Sequence, residues 1–139
     1  AQNLLLAQPG ATLDQLVAAA DAAGVLADIM ALPQGFETRL GDRIAELQSP
    51  GFLRRLVLTR AYLRTDSPIL LLDEPGLGLD HRADQQLLDH LRSIRHQRTI
   101  VMVSHRPSHL KLADRVVVLA GGTVRPVAPT SAPAPVGVG

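Results

Sequence analysis

The sequence contains no cysteine, which excludes a disulfide framework and any thiolate metal centre. Aromatic residues are nearly as scarce: Phe36, Phe52 and Tyr62 are the only ones. Stacking platforms for nucleic-acid bases are therefore lacking, and any core has to be built from Leu, Val, Ile and Ala. The formal net charge is +1, too small for the basic surface that polyanions or anionic membranes select. Nucleic acid is not an expected partner. Lysine is almost missing as well, with Lys111 alone against a background of arginine. No apolar run reaches the roughly 18 residues that cross a bilayer, and the longest, "LVAAADAAGVLADIMAL", is broken by Asp21 and Asp28. The N-terminus shows no basic segment followed by an apolar stretch and a cleavage site, so no secretory leader is read there.

What is present suits a packed domain. Hydrophobic residues make up 46% of the 139, enough for a sizeable core in one domain or in a piece of a larger one. Thr12 and Gln15 have the spacing of a capping box, opening a helix that closes at Gly24. A short helix over 25–32 stops at Pro33, and "QGFETRLGDRIAELQ" has no clear period. Ser49-Pro50 reads as an N-cap followed by proline in the first turn. The spacing then predicts a helix to Leu63 that buries Leu53, Leu56, Val57 and Ala61 and leaves Arg54, Arg55 and Arg64 in solvent. "ILLLD" is expected to be a strand buried on both faces. Asp80 can cap a helix over 81–96 with a stripe of Leu87, Leu88, Leu91 and Ile94, its His81, His90 and His96 on the solvated side. A second buried strand, "TIVMVSH", follows, and Gly121-Gly122 separate the two arms of a hairpin. Strands alternating with helices indicate an α/β class with parallel pairing and a late antiparallel hairpin. The tail has neither charge nor period and is expected to be disordered.

The chemistry concentrates where the two strands end. Ligands of open α/β sheets sit at the carboxyl ends of the strands, and there the sequence places Asp73-Glu74 on one strand and Ser104-His105 on the other. Two adjacent carboxylates after an apolar strand call for a compensating cation or donor. Asp73 can hold Mg2+ through water, since the hard cation prefers oxygen ligands and keeps much of its hydration. Glu74 can orient or deprotonate an attacking water, and His105 can contact a transferring phosphoryl group. The plainer alternatives stay open at this point. The acids also suit a solvated turn, His105 a strand-terminal residue, Ser49 and Asp80 simple helix caps.

These residues resemble the ATP-binding-cassette (ABC) ATPases. "ILLLDEPGLGLD" is similar to the Walker B segment and D-loop of that family, and "TIVMVSHR" to its H-loop strand. "RRLVLTRAYL" resembles the helix after the family signature, and "ADRVVVLAGGTV" the final hairpin. "HRPSHL" and the "LPQGFETRLG" spacing look most like bacterial type I secretion and peptide exporters. The resemblance implies a P-loop NTPase-like (RecA-like) partial parallel sheet, with residues 1–64 a helical signature subdomain. Residues 65–127 would be the Walker B, D-loop and H-loop half of the catalytic core, and 128–139 a tail.

Carried over residue by residue, it implies that Asp73 positions Mg2+ through water and that Glu74 is the general base for ATP hydrolysis. His105 would touch the γ-phosphate and link it to Glu74, and Asp80 would lie at the interface of two such domains. The signature falls on Gln48, Ser49, Pro50, Gly51 and Phe52, of which only Ser49 and Gly51 match; the loop from Gly41 to Ser49 looks one residue longer than usual. Proline removes an N–H donor and Phe52 replaces a polar side chain, so weakened phosphate binding is expected.

The implied cofactors are ATP and Mg2+. The implied partners are a second nucleotide-binding domain and transmembrane domains in the same full-length chain, at the cytoplasmic face of a bacterial inner membrane. A G-x-x-x-x-G-K-[ST] phosphate loop is expected upstream of residue 1, so the chain reads as the C-terminal portion of a domain, inactive and sparingly soluble alone. Export of protein, peptide or another substrate is the expected task. A non-catalytic partner subunit and a soluble ABC-family ATPase outside transport are the alternatives.

Overall fold

The structure, a computed structural model, describes residues 1–39 and 49–126. Gln48, most of the Gly41–Ser49 loop and the tail 128–139 lie outside the described residues. The chain divides into two compact units, one from Ala1 to Ser104 and one beginning at His105. Helices α1 (Gln2–Leu5), α2 (Leu13–Ala22) and α3 (Leu26–Met30) and a single 3₁₀ turn (Gly35–Glu37) open the first unit. Then come α4 (Pro50–Leu63), β1 (Ile69–Asp73), α5 (His81–Ile94) and β2 (Thr99–Val103). The first unit thus takes in both the helical lobe expected for 1–64 and the strand–helix–strand that follows it.

The helix starts are set by side chains the sequence displays. Gln15 N donates to Thr12 Oγ1 at 3.3 Å and Thr12 N to Gln15 Oε1 at 2.8 Å, a complete capping box. Ser49 Oγ accepts from Phe52 N at 3.1 Å and Asp80 Oδ1 from Ala83 N at 2.8 Å, satisfying helix-start donors that would otherwise lack partners. The expected stripe of α5 is buried in full, with Leu91 completely inaccessible. Burying each such leucine contributes about 1.5–3 kcal/mol. Leu16, Ala19 and Ala20 of α2 are buried as well, and α2 packs against α4, whose Phe52 and Leu56 are also buried.

Two expectations about packing are corrected. Helix α4 buries Phe52, Leu56, Leu58, Thr59, Tyr62 and Leu63, whereas Leu53 and Val57 are exposed. The buried face is turned because the two bulky aromatics, with the largest areas to remove from water, take the inward positions. Strand β1 is likewise buried on one face only: Leu70 and Leu72 are covered, while Ile69 and Leu71 are 54% and 72% exposed. Alternate strand residues point to opposite faces, and the crossover helix between two parallel strands covers one of them.

Strands β1 and β2 are parallel, as expected, in a register running from Ile69 opposite Thr99 to Asp73 opposite Val103. Arg98 Nη1 donates to the Arg64 carbonyl at 3.2 Å, tying together the segments that enter the two strands.

The second unit carries a short helix α6 (Pro107–Leu110), in which His109 is fully buried, and a hairpin of β3 (Val117–Ala120) and β4 (Thr123–Pro126). Its strands are antiparallel, with Ala120 opposite Thr123. Gly121 and Gly122 have φ of 57° and 73°, the two left-handed positions that a two-residue type I′ turn requires. The hairpin read from the sequence is therefore present with its turn chemistry.

Candidate functional site

The parallel register brings the two strand ends level. Asp73, the last residue of β1, lies opposite Val103, the last of β2, and the Glu74 N–H donates to the Val103 carbonyl at 2.9 Å. The acidic tip of one strand and the Ser104 end of the other therefore share one edge. Asp73 is exposed and Glu74 half-buried. Exposed carboxylate oxygens are the hard donors that Mg2+ selects, so the residue present at position 73 suits that ion. His105 is exposed and follows Ser104 directly in the chain, as the first residue of the second unit.

Glu74 has a φ of 43°, the left-handed region, the one non-glycine residue among those described to do so. A side chain there costs on the order of 1–2 kcal/mol. The backbone is held in place by what surrounds it. Besides the bond to Val103, the Glu74 carbonyl accepts from Leu77 N at 3.0 Å, closing a tight turn. Strained backbone of this kind persists only where neighbours over-determine it.

The same carbonyl accepts a second bond, from α4. Arg54 Nη2 donates to Glu74 O and Arg54 Nε to Leu77 O, both at 3.3 Å. Arg54, expected in solvent, instead clasps the turn. Arg55 departs from expectation too, pairing through Nη2 with Asp28 Oδ2 at 2.6 Å on α3. Gly51 and Arg54, three apart on a helix, share a face, and both meet the segment 74–78. A Cβ on Gly51 would lie 3.3 Å from the Gly78 carbonyl oxygen, so the first turn of α4 runs close against this loop.

That helix start has few donors to offer. Pro50 has no N–H, and the Phe52 N–H is taken by Ser49 Oγ. The Gly51 N–H has no partner among the described residues. An anion at a helix N-terminus is held by such N–H groups, and here most of the first turn is already spent. Phe52, which stands where a polar signature residue was expected, is 2% exposed and packs into the core. Asp80 caps α5 from an exposed position. The structure thus groups Asp73, Glu74, Gly51, Ser49 and Asp80 around one strand end and the loop 74–80 of the first unit.

No protein-family model matches the chain. Curated relatives do. The cyclolysin secretion/processing ATP-binding protein CyaB of Bordetella pertussis is 37% identical over 122 residues, which is 88% of this chain and 17% of that protein. The ATP-dependent lipid A-core flippase of Shewanella frigidimarina is 36% identical over 125 residues, 89% of this chain and 20% of its own length. A solved bacterial Atm1-family ABC exporter with ATP bound superimposes with a TM-score of 0.76 at 33% identity, over 86% of this chain and 21% of that one. Over most of its length the chain is similar to ATP-binding-cassette exporters. It spans about a fifth of the length of the first curated relatives it matches, between 15% and 21% for the first three. The mixed α/β architecture agrees with the family. Among the described residues no helix is long and apolar enough to cross a membrane.

Proposed function

We propose that this chain forms the Walker B, D-loop and H-loop portion of the ATP-hydrolysing domain of an ABC exporter, with a weakened signature segment. The reading that follows from relatives named for secretion and lipid flipping is a transporter. Two such domains would sandwich ATP at the cytoplasmic face of a bacterial inner membrane, and transmembrane domains in the same full-length chain would move the exported molecule. The observation that carries this reading is the parallel register that sets Asp73 and Glu74 level with the end of β2.

Each residue then has a task. Asp73 would hold Mg2+ through water; the ion, when bound, neutralises charge on the phosphates. Glu74 would accept the proton of the attacking water, His105 would donate to the γ-phosphate, and Asp80 would face the second domain. Ser49 and the Gly51 N–H would address the nucleotide of that second domain. The test is Glu74→Gln in the full-length protein. ATP should still bind, while hydrolysis should fall by about 10²–10⁴-fold, the usual contribution of a positioned general base. Wild-type turnover in that variant refutes the reading.

One observation favours a second reading, a non-catalytic partner domain. With Pro50 lacking an N–H and Ser49 already bonded to Phe52 N, the signature start is poor in donors. Such a domain would support the nucleotide of its partner only weakly, so that one of the two sites in the pair would not turn over. Turnover per domain pair measured on purified protein separates the two: two ATP consumed per cycle supports the first reading, one supports the second.

A further inference from the structure

We propose that Arg54 is a positioning residue for Glu74, acting through its backbone rather than its carboxylate. This inference rests on the reading of Glu74 as the general base. A base works only when held within hydrogen-bond reach of the proton it removes, and Glu74 occupies a conformation that its own residue type disfavours, with φ at 43°. Its direction therefore depends on what pins residues 73–77. On one side the N–H is fixed to β2 through Val103 O at 2.9 Å, and within the turn Leu77 N closes on Glu74 O at 3.0 Å. A third fixture is the guanidinium of Arg54, which spans the two ends of the turn, Glu74 O and Leu77 O, at 3.3 Å each.

The chemistry suits arginine in particular. Carbonyl oxygens bonded to a cation make stronger hydrogen bonds than those bonded to neutral donors. A planar fork with several N–H groups in fixed directions reaches two acceptors at once, which a single ammonium on a flexible stem does not do in the same manner. The side chain comes from the first turns of α4, whose start at Gly51 already runs close beneath Gly78 O. Arg54 thereby ties the angle of the signature helix to the direction of the Glu74 carboxylate. A movement of α4 at that end is transmitted to the base through two bonds, and a base displaced by about 1 Å can lose on the order of 100-fold in rate.

The experiment compares Arg54→Met, Arg54→Lys and Glu74→Gln in the full-length protein, reading kcat and KM for ATP, nucleotide affinity and the unfolding midpoint. Arg54→Met, which keeps the length of the stem and removes the fork, should lower kcat by about tenfold or more with KM for ATP within about twofold, because binding is left intact and the loss is in the transition state. Arg54→Lys should recover part of the lost kcat. A purely structural role would instead lower the yield or the midpoint and leave the kcat of the folded fraction unchanged, and that result overturns the proposal. If Arg54→Met does not fold, Arg54→Lys decides alone: wild-type kcat overturns the proposal, a reduced kcat at unchanged KM supports it. If Glu74→Gln itself hydrolyses ATP at the wild-type rate, the base assignment and this inference fall together. If Glu74→Gln is inactive and Arg54→Met hydrolyses normally, the positioning role alone is refuted.

Discussion

The ring of Tyr62 lies 4.0 Å from the imidazole of His90, tilted by 41°. The contact joins the last turn of α4 to the middle of α5, and it moves His90 off the solvated face on which helix periodicity had placed it. Burial, and secondarily the positive charge of Arg98, hold the His90 pKa below its usual value near 6.5. Above that value the ring is neutral in the folded and unfolded chains alike, and the contact contributes its full stability. As pH falls below about 6.5 the unfolded chain takes up a proton that the folded one resists, so stability is lost. The unfolding midpoint of the domain should therefore drop as the pH falls below about 6.5, and the drop should shrink in His90→Gln. An identical pH profile in the two proteins would rule out His90 as the source.

Gly51→Ala tests the close approach of α4 to the loop after β1. In an open helix this change stabilises by up to about 1 kcal/mol. Here the new Cβ would sit 3.3 Å from a backbone oxygen, that of Gly78, tight enough that the loop or the helix has to shift. No gain in the unfolding midpoint is expected, and hydrolysis should slow because the displaced loop carries Glu74. A gain of the full propensity value with normal hydrolysis would mean that the two segments do not touch.

Asp80 serves as a cap through Oδ1 and Ala83 N, and the functional reading gives it an interface duty besides. Asparagine accepts the same bond. Asp80→Ala should cost about 1 kcal/mol, whereas Asp80→Asn should cost much less. If hydrolysis falls equally in both variants while only Ala loses stability, the carboxylate acts at a second site. If Asn matches wild type in both measurements, capping is its whole role.

Local signals carried far in this chain. Thr12 with Gln15, Ser49 before Pro50, and Asp80 ahead of His81 each name a helix start because the cap bond involves residues three apart. The hairpin was legible for the same reason, since Gly121-Gly122 meet a requirement of backbone geometry. The candidate site residues Asp73 and Glu74 stood out as adjacent acids at the end of an apolar strand, although the structure leaves Asp73 exposed and Glu74 half-buried. Tertiary choices were not legible. The inward face of α4 depends on what α2 and α5 present to it, and a periodic count cannot tell the Leu53/Val57 side from the Phe52/Tyr62 side. Nor could it tell that Arg54 meets backbone carbonyls 20 and 23 residues further on, for carbonyls carry no sequence signature. The single-sided burial of β1 was hidden because four aliphatic residues in succession erase the alternation that normally marks the outer face.

The left-handed backbone at residue 74 has a practical bearing on how inactive versions of this protein are chosen. In a scan of all substitutions there, abundance and turnover should come apart. With Glu74 as the proposed base, glycine should relax the main chain and give plentiful but inactive protein; asparagine tolerates the conformation nearly as well; valine and isoleucine, whose branching at Cβ makes that region a true outlier, should lose expression and chemistry together. Trapping experiments therefore belong with Gln or Asn at this position, and silence from a β-branched variant says nothing about which group takes the proton.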